Sequence, residues 1–299
     1  MKNSFFIFFF WIFSFCLTSE IVHSSELNFE SEEILVSDKG DIITADNGVV
    51  IKDGDHLKIS GDNFIYNKKL QTVNVNQNVK LIDYINNIEI DAPSIVYFKN
   101  EEKIITKGQT FIKFNKNYTA ETKNLIFYKN TSIIKSNDLT IVKDNLRNKL
   151  TLNKFIYLIN KNIIKGKSAI YVDSLKNEYV IDNIVADLAL NKLLGKDVDI
   201  NFNNNILGNK ENEPRLKGRS IEIENDISFI KKGVFTSCKK RKDKCPPWEM
   251  SAREVEHDKK KKQISYKNAW LKVYDTPILY FPKFFHPDPT VKRQSGFLI

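Results

Sequence analysis

Residues that carry chemistry are scarce here. The 299-residue sequence holds four histidines and three cysteines. It has no G-x-S-x-G nucleophile turn, no H-E-x-x-H zinc helix and no phosphate-cradling glycine loop. Those absences argue against hydrolase, metalloprotease and nucleotide-binding readings, and the sequence calls for no cofactor. Helix-length amphipathic stretches are almost missing between Ile34 and Ile206, so the chain reads as strands throughout. After Leu17 no apolar run approaches the roughly 20 residues that a bilayer-spanning helix needs.

The one long apolar run is at the start. Lys2 precedes Phe5–Leu17, a nearly unbroken series of Phe, Ile and Trp that reads as a secretory signal over residues 1–24. An uncleaved anchor is the other reading. Cys16 has no small pair before it and does not look like a lipoprotein cysteine. The net charge of +9 survives removal of the leader, because Lys2 and Glu20 leave together. Basic runs at 239–244 (KKRKDK) and 259–262 (KKKK) taken alone suggest nucleic acid, but export argues against it. They fit solvated turns, or a surface that meets anionic lipid headgroups or phosphorylated sugars.

Cys238 and Cys245 remain in the exported part, spaced C-x6-C. In an oxidising compartment such a pair can close a small loop as a disulfide. Zinc would need two more ligands, and His257 and His286 lack finger-like spacing, so no metal site is expected. Two unpaired thiols are the third possibility.

The strand pattern repeats. Gly48, Asn78 and Gly108, each 30 residues from the next, precede VVI, VKL and QTFI, and Tyr66, Tyr97, Tyr128, Tyr157 and Tyr171 each end an apolar triplet. KDGD at 52–55, YNKK at 66–69 and INN at 85–87 read as turns between strands. A fixed period of this length marks stacked β units that bury their apolar faces against neighbours. It is compatible with a β-solenoid or an elongated jelly roll, and less so with a propeller, whose blades need about 40 residues. Alternation places Val79, Leu81, Ile88, Ile90 and Phe111 on one apolar face, with Lys80 and Glu89 opposite. That face is either an ordinary dry core or a groove lined for acyl chains.

Prolines crowd the C-terminal stretch. Pro277 and Pro282 interrupt an aromatic strand-like run, and Pro287 and Pro289 bracket Asp288, so this run belongs on a sheet edge or at a corner.

The repeat segment resembles the OstA/LptA-type module of periplasmic lipopolysaccharide-transport proteins. From Cys238 through Cys245-Pro246-Pro247-Trp248, SARE, His257-Asp258, Tyr266-Lys267-Asn268-Ala269-Trp270, Tyr280-Phe281-Pro282 and His286-Pro287-Asp288-Pro289 to Gly296-Phe297, the succession is similar to the end of the N-terminal domain of the LptD family. The resemblance implies an all-β, elongated, twisted V-shaped jelly roll. Residues 25–235 would hold its repeats, and 236–299 its end and the junction to an outer-membrane β-barrel that is missing, since the sequence stops where the first barrel strand would start.

The resemblance further implies a non-enzymatic module on the periplasmic face of the outer membrane. It would receive lipopolysaccharide, with the lipid A acyl chains inside, from an LptA-like bridge protein docked by β-augmentation, and pass it to a barrel plugged by an LptE-like lipoprotein. Family members tie this domain to the barrel by disulfides, whereas Cys238 and Cys245 lie close enough to pair with each other. Two other readings remain. One is a stand-alone LptA-like bridge. The other is a secreted β-solenoid that binds or cleaves polysaccharide, with Glu101-Glu102 or Glu222/Glu224 as the carboxylate pair.

Overall fold

The computed structural model describes residues 27–203, 212–240 and 246–291. The expected signal segment and Cys245 lie outside them. The described strands are β1 (Leu27–Glu30), β2 (Glu33–Ser37), β3 (Ile42–Asp53), β4 (Leu57–Asn67), β5 (Thr72–Asp83), β6 (Ile88–Phe98), β7 (Lys103–Lys107), β8 (Gln109–Phe114), β9 (Tyr118–Lys123), β10 (Ile126–Tyr128) and β11 (Ile133–Ser136). They continue as β12 (Thr140–Asp144), β13 (Lys149–Leu158), β14 (Ile163–Val172), β15 (Glu178–Asp187), β16 (Lys192–Asn201), β17 (Arg215–Glu224), β18 (Ile227–Thr236), β19 (Trp248–Asp258), β20 (Gln263–Val273) and β21 (Thr276–Pro287). Every pairing among them is antiparallel, which makes one continuous meandering sheet rather than the parallel coils of a solenoid.

Most strands are long and bend halfway. The pairing of β3 with β4 slips between Asp46 and Val49, and that of β5 with β6 between Asn76 and Val79. Gly48 and Asn78 sit in these slips with φ of 81° and 51°, a left-handed conformation that turns the chain. Gly108, with φ 84°, separates β7 from β8, which pair with the two halves of β6. The 30-residue interval in the sequence is therefore the interval between bends on alternate strands. Where the sheet breaks fully, hydroxyls replace the lost ladder: Thr140 donates to Thr122, Thr122 to Ser136 and Ser136 to the Lys123 carbonyl, all buried.

Each bend folds the sheet over itself, so every long strand contributes one half to each of two facing layers. The turns form two rims. On the first rim they are stitched by backbone hydrogen bonds at each repeat: Lys68 N to Asp41 O, Lys99 N to Gln71 O, Lys129 N to Glu102 O, Ile159 N to Ser132 O and Leu188 N to Asn162 O, at 2.8–3.0 Å. Tyr84 N to His56 O does the same on the second rim. The expected turns at 52–55, 66–69 and 85–87 fall on these rims. Between the layers one apolar core runs from Ala45 to Ala269. β19–β21 extend the same sheet, and among the described residues β21 pairs only with β20, so the proline-rich run lies at the edge of the described sheet.

Candidate functional site

Strand alternation decides what faces the space between the layers. Val79, Leu81, Ile88 and Ile90 all point inward and are at most 1% exposed. Phe111 does not join them. It is 47% exposed on the outer face, while Ile112 and Phe114 point in. The reason lies at Gly108, where the chain breaks before β8. There β8 pairs directly with β6, Ile90 opposite Ile112 and Asp91 opposite Phe111, and opposed residues share a face.

At the bend the layers are continuous through the strands. At the opposite side they meet only through side chains, along a seam between the two rims. Phe29 stacks on Phe64 with ring centroids 4.9 Å apart, and Phe114 meets Tyr157 at 4.7 Å, each across the layers. Two polar clusters also cross. Asp53 on the second rim accepts a 2.6 Å hydrogen bond from the Tyr97 hydroxyl and meets Lys129 of the first rim at 3.6 Å. Farther along, Asp173 on the second rim meets Lys259 of the first at 2.7 Å and accepts from the Tyr179 hydroxyl at 3.2 Å. Each lysine lies over its tyrosine ring, at 5.6 and 5.5 Å. Burial, then the nearby aspartate, push both phenols well above their ordinary range, so they remain donors.

Between Tyr157 and the Asp173–Lys259 pair the seam opens into a cleft of about 440 Å³. Tyr118, Val142 and Leu150 line one wall, Ile164, Leu188 and Ile223 the other, and Lys143, Lys192 and Asp226 stand at its rim. This cleft gives direct access to the apolar interior from outside.

The C-terminal end carries a third cluster. His257 and Asp288 are buried and 2.6 Å apart, and the His257 Nδ1 has no partner among the described residues. The Tyr266 hydroxyl donates to His286 Nε2 at 2.7 Å, and His286 Nδ1–H donates to the Pro287 carbonyl. Burial lowers the His286 pKa, so this ring is a neutral acceptor. Burial pushes Asp288 up, but hydrogen bonds from His257 and Thr290 outweigh it and hold the carboxyl below its ordinary value. Beside the cluster, Trp248, Met250, Leu271, Phe281 and Phe284 line a cavity of about 490 Å³.

Cys238 is half-buried with its Sγ 3.9 Å from the Trp248 carbonyl, and the expected bridge to Cys245 lies outside the described residues. Glu222 and Glu224 both meet Lys192, and Glu101 meets Lys103. Among the described residues no group of His, Cys, Asp and Glu could hold a metal ion. The two Asp–Tyr–Lys clusters escape sequence reasoning. Tyr97 was visible as a strand ending, but Lys259 sits in a basic run that reads as a solvated turn.

Residues 19–144 match the model of the family described as OstA-like protein. That match spans less than half of the 299 residues. A solved structure of LptH from Pseudomonas aeruginosa, titled the LptA-homologous periplasmic component of the lipopolysaccharide transport device, matches with a TM-score of 0.34 and 14% identity. The match covers 37% of this chain and 80% of that one. No curated protein matches the chain.

Proposed function

We propose that this OstA-like chain is a periplasmic lipopolysaccharide-transport module whose interior carries the acyl chains. One observation carries the reading: an apolar interior runs the length of the sheet, closed by covalent strands on the bend side and only by side chains along the seam. Parting the seam costs a few contacts and no backbone ladder. The interior it exposes offers methyl and aromatic surface to a lipid tail. The cleft between Tyr157 and Lys259 is the place where parting begins, because there the layers already stand apart.

The two sheet ends suit end-to-end relay. At the N-terminal end β1 and β2 pair, among the described residues, only with β3, and β2 exposes Ile34, Leu35 and Val36. At the other end β21 exposes Ile278, Leu279 and Tyr280. Both are edges open to strand addition, by a bridge protein at the first and by an LptD-type barrel with its lipoprotein plug at the second. The C-terminal succession from Cys238 to His286-Pro287-Asp288 supports the LptD-type assignment over a stand-alone bridge.

The test is a distance across the seam. Spin labels at Lys116, in a second-rim turn, and Lys161, in a first-rim turn, report on it by pulsed electron resonance. Lipopolysaccharide should lengthen the distance, and an unchanged distribution under saturating lipid contradicts entry between the layers.

A further inference from the structure

The outer face of the first-rim layer carries a second surface that lipid transport between the layers does not use. Over β13–β18 the sheet presents two adjacent cross-strand rows. One runs through Ile156, Lys165, Val185, Leu194, Glu222 and Phe229, each opposite the next. Its apolar members are 36–43% exposed. The other, two residues nearer the bend, runs Lys167, Asn183, Lys196, Ser220, Lys231, with a lysine on every second strand. With Lys154 and Lys165 the rows enclose a shallow groove of about 760 Å³.

The charge lining the groove is predominantly positive; past its edge, on β19, Glu254 lies opposite Lys231 but is held by Lys267. Five lysines line the groove against one carboxylate, Glu222, and that carboxylate is held by Lys192. None of the five meets a carboxylate among the described residues. On the outer face of the N-terminal repeats some lysines are matched: Lys80 and Lys113 meet Glu89, and Lys143 meets Glu121. Strands in a sheet stand about 4.8 Å apart, so lysines on alternate strands repeat every ~10 Å. Such a row repels itself unless an anionic partner neutralises it.

We propose that this face docks the protein on an anionic phospholipid bilayer. Lys167, Lys196 and Lys231 would sit among the headgroups, and Ile156, Val185, Leu194 and Phe229 would press into the interfacial zone. An acidic peptide fits the face less well. The strands here are fully paired, so the backbone offers no edge for strand addition, and the groove holds no individual donor pocket, only a periodic charge. The proposal stands apart from acyl-chain carriage in the interior, since the two faces of the sheet do not communicate through a shared side chain.

Sedimentation of the purified exported chain with phosphatidylglycerol vesicles, against phosphatidylcholine vesicles, tests it. Binding to the anionic vesicles should exceed binding to the neutral ones and fall with added salt. The variant K167E/K196E should lower the partition coefficient by about tenfold or more, and Phe229→Ser severalfold, with circular dichroism unchanged. If the charge-reversed variant misfolds, K167Q/K196Q and the salt titration give the same reading. Equal partition to neutral vesicles, or anionic binding that ignores both substitutions, overturns the proposal. An acidic peptide that binds while vesicles do not would overturn it too. Loss of vesicle binding with the seam response to lipopolysaccharide intact separates this failure from failure of the transport reading.

Discussion

Lys259 reaches across the seam to Asp173, Nζ to Oδ2 at 2.7 Å, while lying over the ring of Tyr179. Both charges are largely withdrawn from water. Removing one partner strands the other, so Lys259→Met should destabilise by about 3–5 kcal/mol. The double variant K259M/D173N should recover much of that loss. Denaturant unfolding of the four proteins measures the coupling, and additive losses would mean that the pair does not act as a unit.

The seam tyrosines make stability fall at alkaline pH. Burial raises Tyr97 and Tyr179, and pushes Tyr157 up to about 12. In the unfolded chain these phenols lose their protons near pH 10, while in the folded protein they keep them. Above pH 10 the folded state therefore binds more protons, and stability present below that pH is lost as the pH rises. Thermal melts from pH 8 to 11 should show the decline, and Tyr97→Phe should flatten it.

His286 predicts the opposite limb. Its folded pKa lies below the ordinary 6.5, so acid favours the unfolded chain, which takes the proton first. Stability present above pH 6.5 is lost as the pH falls through that value. Amide exchange in β20 and β21 at pH 7 and pH 5.5 should show faster opening at the lower pH, because a protonated ring cannot accept from Tyr266.

Cys238 and Cys245 are proposed to form a local disulfide. Non-reducing mass spectrometry of the exported protein should find a peptide that joins them. The stabilisation should be only about 2 kcal/mol, since a short loop loses little entropy on closure. Two alkylatable thiols in the same peptides would refute it.

The fold was legible because its determinants are local. Gly48, Asn78 and Gly108 announce the bends through a backbone conformation that few residues tolerate, and the two-residue alternation around Lys80 and Glu89 shows which side is buried. Phe111 is misplaced by the sequence pattern because both faces of β8 carry bulky apolar residues, Phe111 on one and Ile112 and Phe114 on the other, so local alternation does not say which face is buried. The seam clusters were illegible for a different reason. Asp53 and Lys129, or Asp173 and Lys259, meet only after the sheet folds over, and no local pattern encodes that meeting. The same holds for the lysine row, whose members lie on β14, β16 and β18.

The corrected register makes its own prediction. Ile90→Asp places an unpaired carboxylate in the core and should cost several kcal/mol, enough to threaten folding. Phe111→Lys, on the outer face between Asp91 and Glu121, should change stability by about 1 kcal/mol or less. Similar losses for both would restore Phe111 to the interior.

The central claim is that acyl chains lie between the two layers. A photoreactive residue at Leu81 or Ile90, and separately at Lys80, Glu89 or Phe111, puts it to the test in cells that make lipopolysaccharide. The account predicts capture of lipopolysaccharide from Leu81 and Ile90 and none from the three outward positions. Capture from Lys80, Glu89 and Phe111 as strong as from Leu81 and Ile90, or from none of the five, would contradict it.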